Sequence, residues 1–186
     1  EGLYVDRNGD GTVTPDDMYR YKKAAPDATF GFYTGVNLGN FDLSLGARAM
    51  VGNYVYNNNL ASQGVYDFVY NSSGGSGGGY LNNVDSQTEA LDINTPRYFS
   101  DHYVQDGSFL RIDHITAGYD FGNIGSAISS FRLSITAQNP LLITGYDGID
   151  PEIASRDVTT NSVGFGIDNN IYPRSRTFLL GLNVKF

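Results

Sequence analysis

The segment Arg176–Phe186, RTFLLGLNVKF, alternates between apolar and more polar residues along its whole length. One set of alternate positions is entirely apolar and consists of Phe178, Leu180, Leu182, Val184 and Phe186. The other set contains Thr177, Leu179, Gly181, Asn183 and Lys185. Because successive side chains of a β-strand point to opposite faces, this pattern predicts a strand with one oily face and one wetter face.

Four further segments show the same period of two, among them FDLSLGARAMV and FRLSITAQN. Together with the last segment they predict five strands, at about 29–39, 41–52, 108–121, 131–139 and 174–186. The third strand, at 108–121, is less regular, because Arg111, Asp113 and His114 fit neither face. Either a β-bulge or a stretch that stands clear of a membrane would explain this break in the alternation.

The connections between these strands alternate in length. The first is a tight turn near Asn40 and the third is a short segment at about 122–130, whereas about 53–107 and 140–173 are long. Long loops are uncommon in compact domains, but outer-membrane barrels combine short periplasmic turns with long extracellular loops. The pattern therefore favours an all-β fold, an antiparallel transmembrane β-barrel segment, over a soluble all-β domain with one buried face.

Composition narrows the possible functions. The 186 residues include 12 Lys and Arg against 20 Asp and Glu, a formal net charge of −8. Such an acidic chain is a poor partner for nucleic acid. The sequence contains no cysteine, and no apolar run is long enough for a transmembrane helix. Five strands cannot close a barrel, since single-chain bacterial barrels start at about eight. We therefore expect the chain to be an excerpt from a longer polypeptide.

A candidate metal loop precedes the first strand. Its sequence, DRNGDGTVTPDD, matches the first six positions of the calcium-loop template D-x-[DN]-x-[DN]-G. The predicted Ca2+ ligands are the side chains of Asp6, Asn8 and Asp10, the carbonyl of Thr12 and the carboxylate of Asp17. Asp17 replaces the usual Glu, so we expect weaker binding than in a sensor loop. The alternative is an Asx-rich turn that binds nothing.

We find no combination of residues that predicts catalysis. His102 and His114 lie twelve positions apart without the converging ligands that zinc or acid–base chemistry would need. They are interpreted as polar residues of a surface or lumen. The glycine-rich stretch 71–80 lacks the Lys and following helix of a phosphate-binding loop. The sequence therefore predicts a protein that is not an enzyme.

Several segments, taken in order, resemble one known family. These are DRNGDGTVTPDD, the strand pair TFGFYTGVNLGNFDLSLGARAMVGNYVYN, VQDGSFLRIDHITAGYDF, FRLSITAQNPLLITGYDGIDPEIAS and the terminal YPRSRTFLLGLNVKF. They resemble the C-terminal end of the SusC/RagA family of TonB-dependent outer-membrane transporters of Bacteroidetes. The segments that do not match, about 57–95 and 157–171, are expected to be variable surface loops.

The resemblance implies a 22-stranded barrel with an N-terminal plug, of which this chain holds about the last five strands. Residues 1–28 would form an extracellular loop with the metal loop, and residues 29–186 the strands and their connections. Implied partners are the rest of the barrel and its plug, a SusD-like lipoprotein lid, TonB, outer-membrane lipid and a second transporter–lid pair. The implied function is import of oligosaccharides or peptides. A passive porin and a secreted calcium-binding β-domain remain the alternatives.

Overall fold

The computed structural model describes residues 4–65, 88, 93–94, 96–156, 163–169 and 171–186. Within them the strands are β1 (Ala28–Leu38), β2 (Phe41–Val51), β3 (Tyr54–Asn57), β4 (Val104–Asp106), β5 (Phe109–Ile124), β6 (Ile128–Thr144), β7 (Ala154–Arg156), β8 (Val163–Phe165), β9 (Ile167–Asp168) and β10 (Thr177–Lys185). The helical elements are α1 (Asn58–Gln63) and two 3-10 turns, Pro15–Asp17 and Asp101–Tyr103. None of these described helices has the length and apolarity needed to cross a membrane.

The chain divides into two compact units. The loop unit comprises Glu1–Ala25, Tyr54–Asp106 and Glu152–Ile171, and the sheet unit comprises Pro26–Asn53, Gly107–Pro151 and Tyr172–Phe186. In the loop unit, β3 pairs with β4 antiparallel and with β9 parallel, and β7 pairs with β8. Its core is formed by the buried side chains of Val55, Ala61, Val65, Ile93, Tyr103 and Ile153. The glycine-rich stretch 71–80 and most of the variable segments singled out in the sequence lie outside the described residues.

The sheet unit is built on one antiparallel sheet in the order β1–β2–β5–β6–β10. The five predicted strands are all present. Two of them are longer than the sequence indicated: β5 continues to Ile124, and β6 runs from Ile128 to Thr144 rather than from about 131 to 139. The prediction ended β6 at Pro140, but a proline is tolerated in a strand where the ladder bulges. The long connection after β6 therefore begins at 145.

The two faces of the sheet differ in chemistry across all five strands. Directly paired residues share a face, and one such row, which runs across all five strands, is wholly apolar: Val36, Leu43, Ala117, Ile135 and Leu180. The next row along the strands is Asn37, Asp42, Gly118, Ser134 and Gly181. The apolar face is largely uncovered, with Phe178 78% and Leu180 66% exposed. A patch of this kind marks a surface that meets lipid or another protein.

The irregular part of β5 is a β-bulge. The register between β2 and β5 shifts between Gly46 and Ala47, so that Asp113 is the extra residue on β5. On the other side of β5, between the pairs Ile112↔Leu141 and His114↔Gln138, Asn139 and Pro140 of β6 lie opposite Asp113, so that β6 has one more residue here than β5. The bulge corrects the phase of the alternation: Arg111 pairs with Arg48 on the polar face, while Ile112 pairs with Ala47 on the apolar face.

Candidate functional site

The predicted metal loop begins with a carboxylate that closes a tight turn. Asp6 accepts hydrogen bonds from the backbone N–H groups of Gly9, at 2.7 Å, and Gly11, at 2.8 Å. Both glycines have positive φ, 76° and 84°, a conformation that costs a glycine little and other residues more. The NGDG sequence thus folds around the Asp6 side chain.

Asp17, the last residue of the motif, forms hydrogen bonds with residues near the beginning of the motif. The Asp17 carboxylate accepts from the backbone N–H groups of Arg7 at 2.7 Å, Asn8 at 3.2 Å and Thr14 at 2.8 Å. Thr14 in turn caps the 3-10 turn Pro15–Asp17, and Asp17 is only 8% exposed. Asp17 therefore joins the two ends of the twelve-residue motif.

Asp10 occupies the middle of the loop. It accepts from the Thr12 hydroxyl and the Thr12 N–H, both at 2.8 Å, and from Asn8 Nδ2 at 3.0 Å. The Thr12 hydrogen bonds lower the pKa of Asp10 below its ordinary value. The pKa of Asp17 is also lowered, first by the backbone hydrogen bond from Thr14 and then by that from Arg7. Both carboxylates are therefore ionised at neutral pH.

The arrangement fits calcium in the chemistry of its donors but does not by itself present a coordination sphere. All side-chain donors are oxygens, the ligand type that Ca2+ prefers. The structure brings Asp6, Asn8, Asp10, Thr12 and Asp17 into one loop. The side-chain oxygens of Asp6, Asn8, Asp10 and Asp17 accept hydrogen bonds from N–H and O–H groups of that loop. Within the described residues, no group of three or more His, Asp or Glu side chains is placed to hold a metal ion.

The metal loop is attached to the rest of the loop unit through Tyr19. The Arg7 guanidinium lies 3.8 Å from the centroid of the Tyr19 ring. The Tyr19 hydroxyl donates to Asp101 Oδ2 at 3.0 Å, a hydrogen bond that raises the pKa of the tyrosine. The loop is thus tied to the 3-10 turn that contains His102, whose ring lies 5.0 Å from that of Tyr103.

The polar face of the sheet carries a charge pair that crosses three strands. Arg132 of β6 donates to both carboxylate oxygens of Asp42 of β2, at 2.8 and 2.7 Å. Gly118 of β5 lies between them, and a Cβ at that position would contact both charged groups. A glycine is therefore required for Arg132 to reach Asp42.

A cleft of about 680 Å³ lies on the same face, nearer the long connection after β6. It is lined by Arg111, Asp113, His114, Thr136, Gln138, Asn139, Tyr172, Pro173, Arg174, Ser175 and Thr177. His114 extends over Gly46 toward Tyr33, and Asp113 is 3.2 Å from Arg48. His114 is thus a polar residue of this face, and among the described residues it belongs to no group of three or more His, Asp or Glu side chains that could hold a metal ion.

Arg111 is a residue whose importance the sequence did not reveal. It is 1% exposed, and its Nη2 lies 2.6 Å from Asp150 Oδ1. The available signal was an arginine between two large apolar residues in a strand, Leu110 and Ile112, but its partner is 39 positions away. No local pattern identifies such a partner.

The relatives found by comparison with known sequences are all TonB-dependent receptors. No family model matches the chain. All of it aligns with the TonB-dependent receptor SusC of Bacteroides thetaiotaomicron at 39% identity, and 99% of it with the TonB-dependent receptor P3 of Formosa agariphila at 30% identity. The aligned regions are 18% and 19% of those proteins. The chain thus spans less than a fifth of the curated relatives that it matches.

Solved structures agree on the fold. The RagAB peptide importer in its open-open state matches 94% of this chain with a TM-score of 0.70 and 24% identity. The closed-closed state of that importer matches 98% with a TM-score of 0.68. The matched region is about a fifth of the importer chain in each case.

Proposed function

The chain belongs to the SusC/RagA family of TonB-dependent receptors and corresponds to a C-terminal part of such a receptor; on this premise we propose that it forms one wall of an outer-membrane importer of oligosaccharides or peptides. The apolar face of the sheet meets lipid and the polar face lines the lumen. Residues 1–28 and the long connections between the strands face the outside of the cell, and the short turns at 39–40 and 125–127 face the periplasm.

The observation that carries this proposal is the continuity of the two faces. An apolar row and a polar row each extend across all five strands, and the bulge at Asp113 keeps Arg111 off the apolar face. A charged group on the lipid side of a barrel is costly, by about 2–4 kcal/mol at mid-bilayer. The bulge therefore avoids this cost, because it places Arg111 on the polar face of the sheet.

Transport itself requires parts of the receptor outside this chain. A SusD-like lipoprotein would cover the barrel from outside, TonB would supply energy through the plug, and two transporter–lid pairs could associate. The relatives are named TonB-dependent receptors, which supports TonB-driven import over a passive porin. Deleting TonB from the host should abolish uptake of the receptor's solute, whereas a passive porin would continue to conduct it.

Cysteine labelling of neighbouring residues on β10 tests the placement of the two faces. The chain has no cysteine, so Leu182→Cys and Asn183→Cys give matched single sites in the full receptor, with any cysteine elsewhere replaced. We expect a membrane-impermeant maleimide to label Asn183→Cys and not Leu182→Cys, and a lipid-soluble maleimide to label both. Equal labelling of the two by the impermeant reagent would contradict a lipid-facing sheet.

We also propose that the Asp6–Asp17 loop binds Ca2+. The support is the ligand spacing in the sequence, the all-oxygen donors and the ionised state of Asp10 and Asp17. Binding would require the carboxylates to exchange some of their N–H and O–H partners for the ion. The metal would then offset part of the negative charge of a loop that holds four aspartates, Asp6, Asp10, Asp16 and Asp17.

Calorimetry on the detergent-solubilised, chelator-treated receptor tests this second proposal. Addition of calcium should release or absorb heat, and Asp10→Ala should remove that signal. Asp16→Ala is the matched control, because Asp16 is an exposed neighbour that is absent from the predicted ligand set. An Asp10→Ala isotherm identical to that of the parent would rule out the site.

A further inference from the structure

A buried guanidinium lies where β5 meets the connection that follows β6. Arg111 is 1% exposed and Asp150 is 3% exposed, and Arg111 Nη2 donates to Asp150 Oδ1 at 2.6 Å. Nη1 of the same guanidinium donates to Asn139 Oδ1 at 2.7 Å. Arginine suits this position because its planar fork can donate in two directions at once while remaining charged.

The two partners of Arg111 lead to opposite ends of one connection. Asp150 belongs to the beginning of the 145–176 connection, which starts directly after β6. Asn139 lies in the bulge of β6, and its Nδ2 donates to the carbonyl oxygen of Arg174 at 3.1 Å. Arg174 is near the end of the same connection, just before β10. The Arg111 guanidinium therefore binds Asp150 at the beginning of the connection directly. It is linked to Arg174 at the end of the connection through the Asn139 amide.

The backbone at Asn139 serves this arrangement. Its φ is 49°, one of two positive values found for non-glycine residues in the described part of the chain. Asparagine adopts the left-handed region more readily than most residues. Its side chain has an acceptor and a donor on one planar group, so that it can receive from Arg111 and donate to Arg174 together.

We propose that Arg111 is the positioning residue of the 145–176 connection, and that it fixes both ends of this connection on the polar face of the sheet. The inference rests on the proposed function in one respect: the connection is one of the outer loops that a solute passes. Residues 172–175 line one side of the cleft on that face. Arg111, Asn139 and Arg174 line the cleft as well, so the hydrogen bonds that hold the connection also set the shape of the cleft.

Site-specific proteolysis of the full receptor provides the test. Trypsin cleaves after arginine by attacking the carbonyl carbon, and the Arg174 carbonyl oxygen is held by Asn139. Asn139→Gly removes the amide and keeps a residue suited to positive φ. We expect cleavage after Arg174 to become about five- to tenfold faster, because one hydrogen bond no longer opposes local opening.

Arg111→Lys is the second variant, in case Asn139→Gly prevents assembly. Lysine keeps the charge beside Asp150 but cannot present the two-pronged fork, so cleavage after Arg174 should again accelerate. Arg132→Met is the matched control. Its ion pair with Asp42 has similar distances and lies on the same face, but it connects two strands and no loop, so cleavage after Arg174 should stay at the parent rate.

Two outcomes would overturn the proposal. Parent-like cleavage in both Asn139→Gly and Arg111→Lys would show that the network does not hold the connection. Equal acceleration in Arg132→Met would show general loosening of the sheet. Heat-modifiable migration in gel electrophoresis checks barrel assembly of every variant. The cysteine labelling on β10 tests the lipid-facing sheet separately, so failure of the proposed function and failure of this proposal are distinguishable.

Discussion

At the level of single residues, two kinds of position determine how charged side chains pair on the polar face of the sheet. Some are the charged residues themselves, such as Asp42 and Arg132, which pair across an intervening strand. Others are glycines that leave room for them, as Gly118 does. The Asp42–Arg132 pair and Gly118 belong together, because a side chain at position 118 would occupy the space in which the two charged groups meet.

Gly118→Ala should separate this pair. An added methyl would contact both charged groups, and the ends of both side chains would move away. A partly exposed pair contributes little to stability, so we expect Gly118→Ala to unfold at a slightly lower urea concentration than a matched glycine-to-alanine variant, measured on the full receptor in detergent.

Gly35→Ala supplies that match. Gly35 lies in β1 and its nearest neighbour for an added Cβ is the Leu43 carbonyl oxygen at 3.8 Å, an ordinary contact. Introducing Arg132→Met should abolish the difference between the two alanine variants, because no pair remains to be disturbed. If the difference persists without Arg132, steric contact with the ion pair is not its cause.

The metal loop gives a prediction about pH. Hydrogen bonds lower the pKa of Asp17 in the folded loop, so its ionised form stabilises the loop above the ordinary Asp pKa of about 3.9. This stabilisation is lost as the pH falls through the lowered pKa. Hydrogen exchange of residues 6–17, corrected for intrinsic rates, should show unchanged protection from pH 7 to about 4 and a decline below.

Asp17→Asn offers a control for this pH dependence. Asparagine has one acceptor oxygen where the aspartate uses both, one for Arg7 and Asn8 and the other for Thr14. The variant should therefore show reduced protection already at pH 7. Loss of protection between pH 7 and 5 in the parent would contradict a lowered pKa.

At the level of secondary-structure elements, β10 shows the amphipathic pattern most simply. Phe178, Leu180 and Leu182 are 64% exposed or more in the sheet, and Gly181 and Asn183 face the other way. In water this strand would promote aggregation, because it exposes a row of large apolar side chains. On a barrel that faces lipid, the same row is the stabilising surface.

Leu180→Arg should therefore impair the receptor far more than Leu179→Arg. Leu180 pairs with Ile135 on the apolar face and Leu179 pairs with Thr136 on the polar face. An arginine in mid-bilayer costs about 2–4 kcal/mol, which should lower the yield of heat-modifiable, folded receptor in the outer membrane. Equal yields for the two variants would be incompatible with lipid on the Leu180 side.

At the level of the whole molecule, the sheet has two open edges. In the part of the chain that the structure describes, β1 pairs only with β2, and β10 pairs only with β6. Unpaired backbone groups are costly in lipid, at several kcal/mol each. The sheet therefore needs further strands at both edges before it can reside in a membrane.

We expect residues 1–186 expressed alone to fail to insert as a folded barrel. The open edges and the exposed apolar face favour aggregation, which sedimentation after detergent extraction would detect. Co-expression with the preceding part of the same receptor should restore a folded, heat-modifiable species. A monodisperse water-soluble monomer of these residues would instead support a secreted β-domain.

The sequence alone was sufficient for the five strands of the large sheet, but not for the short strands β3, β4, β7, β8 and β9 in segments predicted as loops. Alternation with a period of two predicts β1, β2, β5, β6 and β10, because the backbone of a strand sends neighbouring side chains to opposite faces wherever the strand lies. The spacing of Asp6, Asn8, Asp10 and Asp17 predicted a calcium loop or an Asx-rich turn, because glycines and short carboxylates specify a turn locally. Calcium in that loop remains a proposal.

Only the tertiary structure decided which distant residues meet. Arg111 and Asp150 are 39 positions apart, and their contact depends on the bulges at Asp113 and Asn139. Asp42 and Arg132 are 90 positions apart, and their contact depends on the register of β2, β5 and β6. A bulge changes the pairing of every residue beyond it, and nothing in the local alternation states where the partner strand compensates. Periodicity is a property of one strand, whereas a buried charge pair is a property of several strands in register.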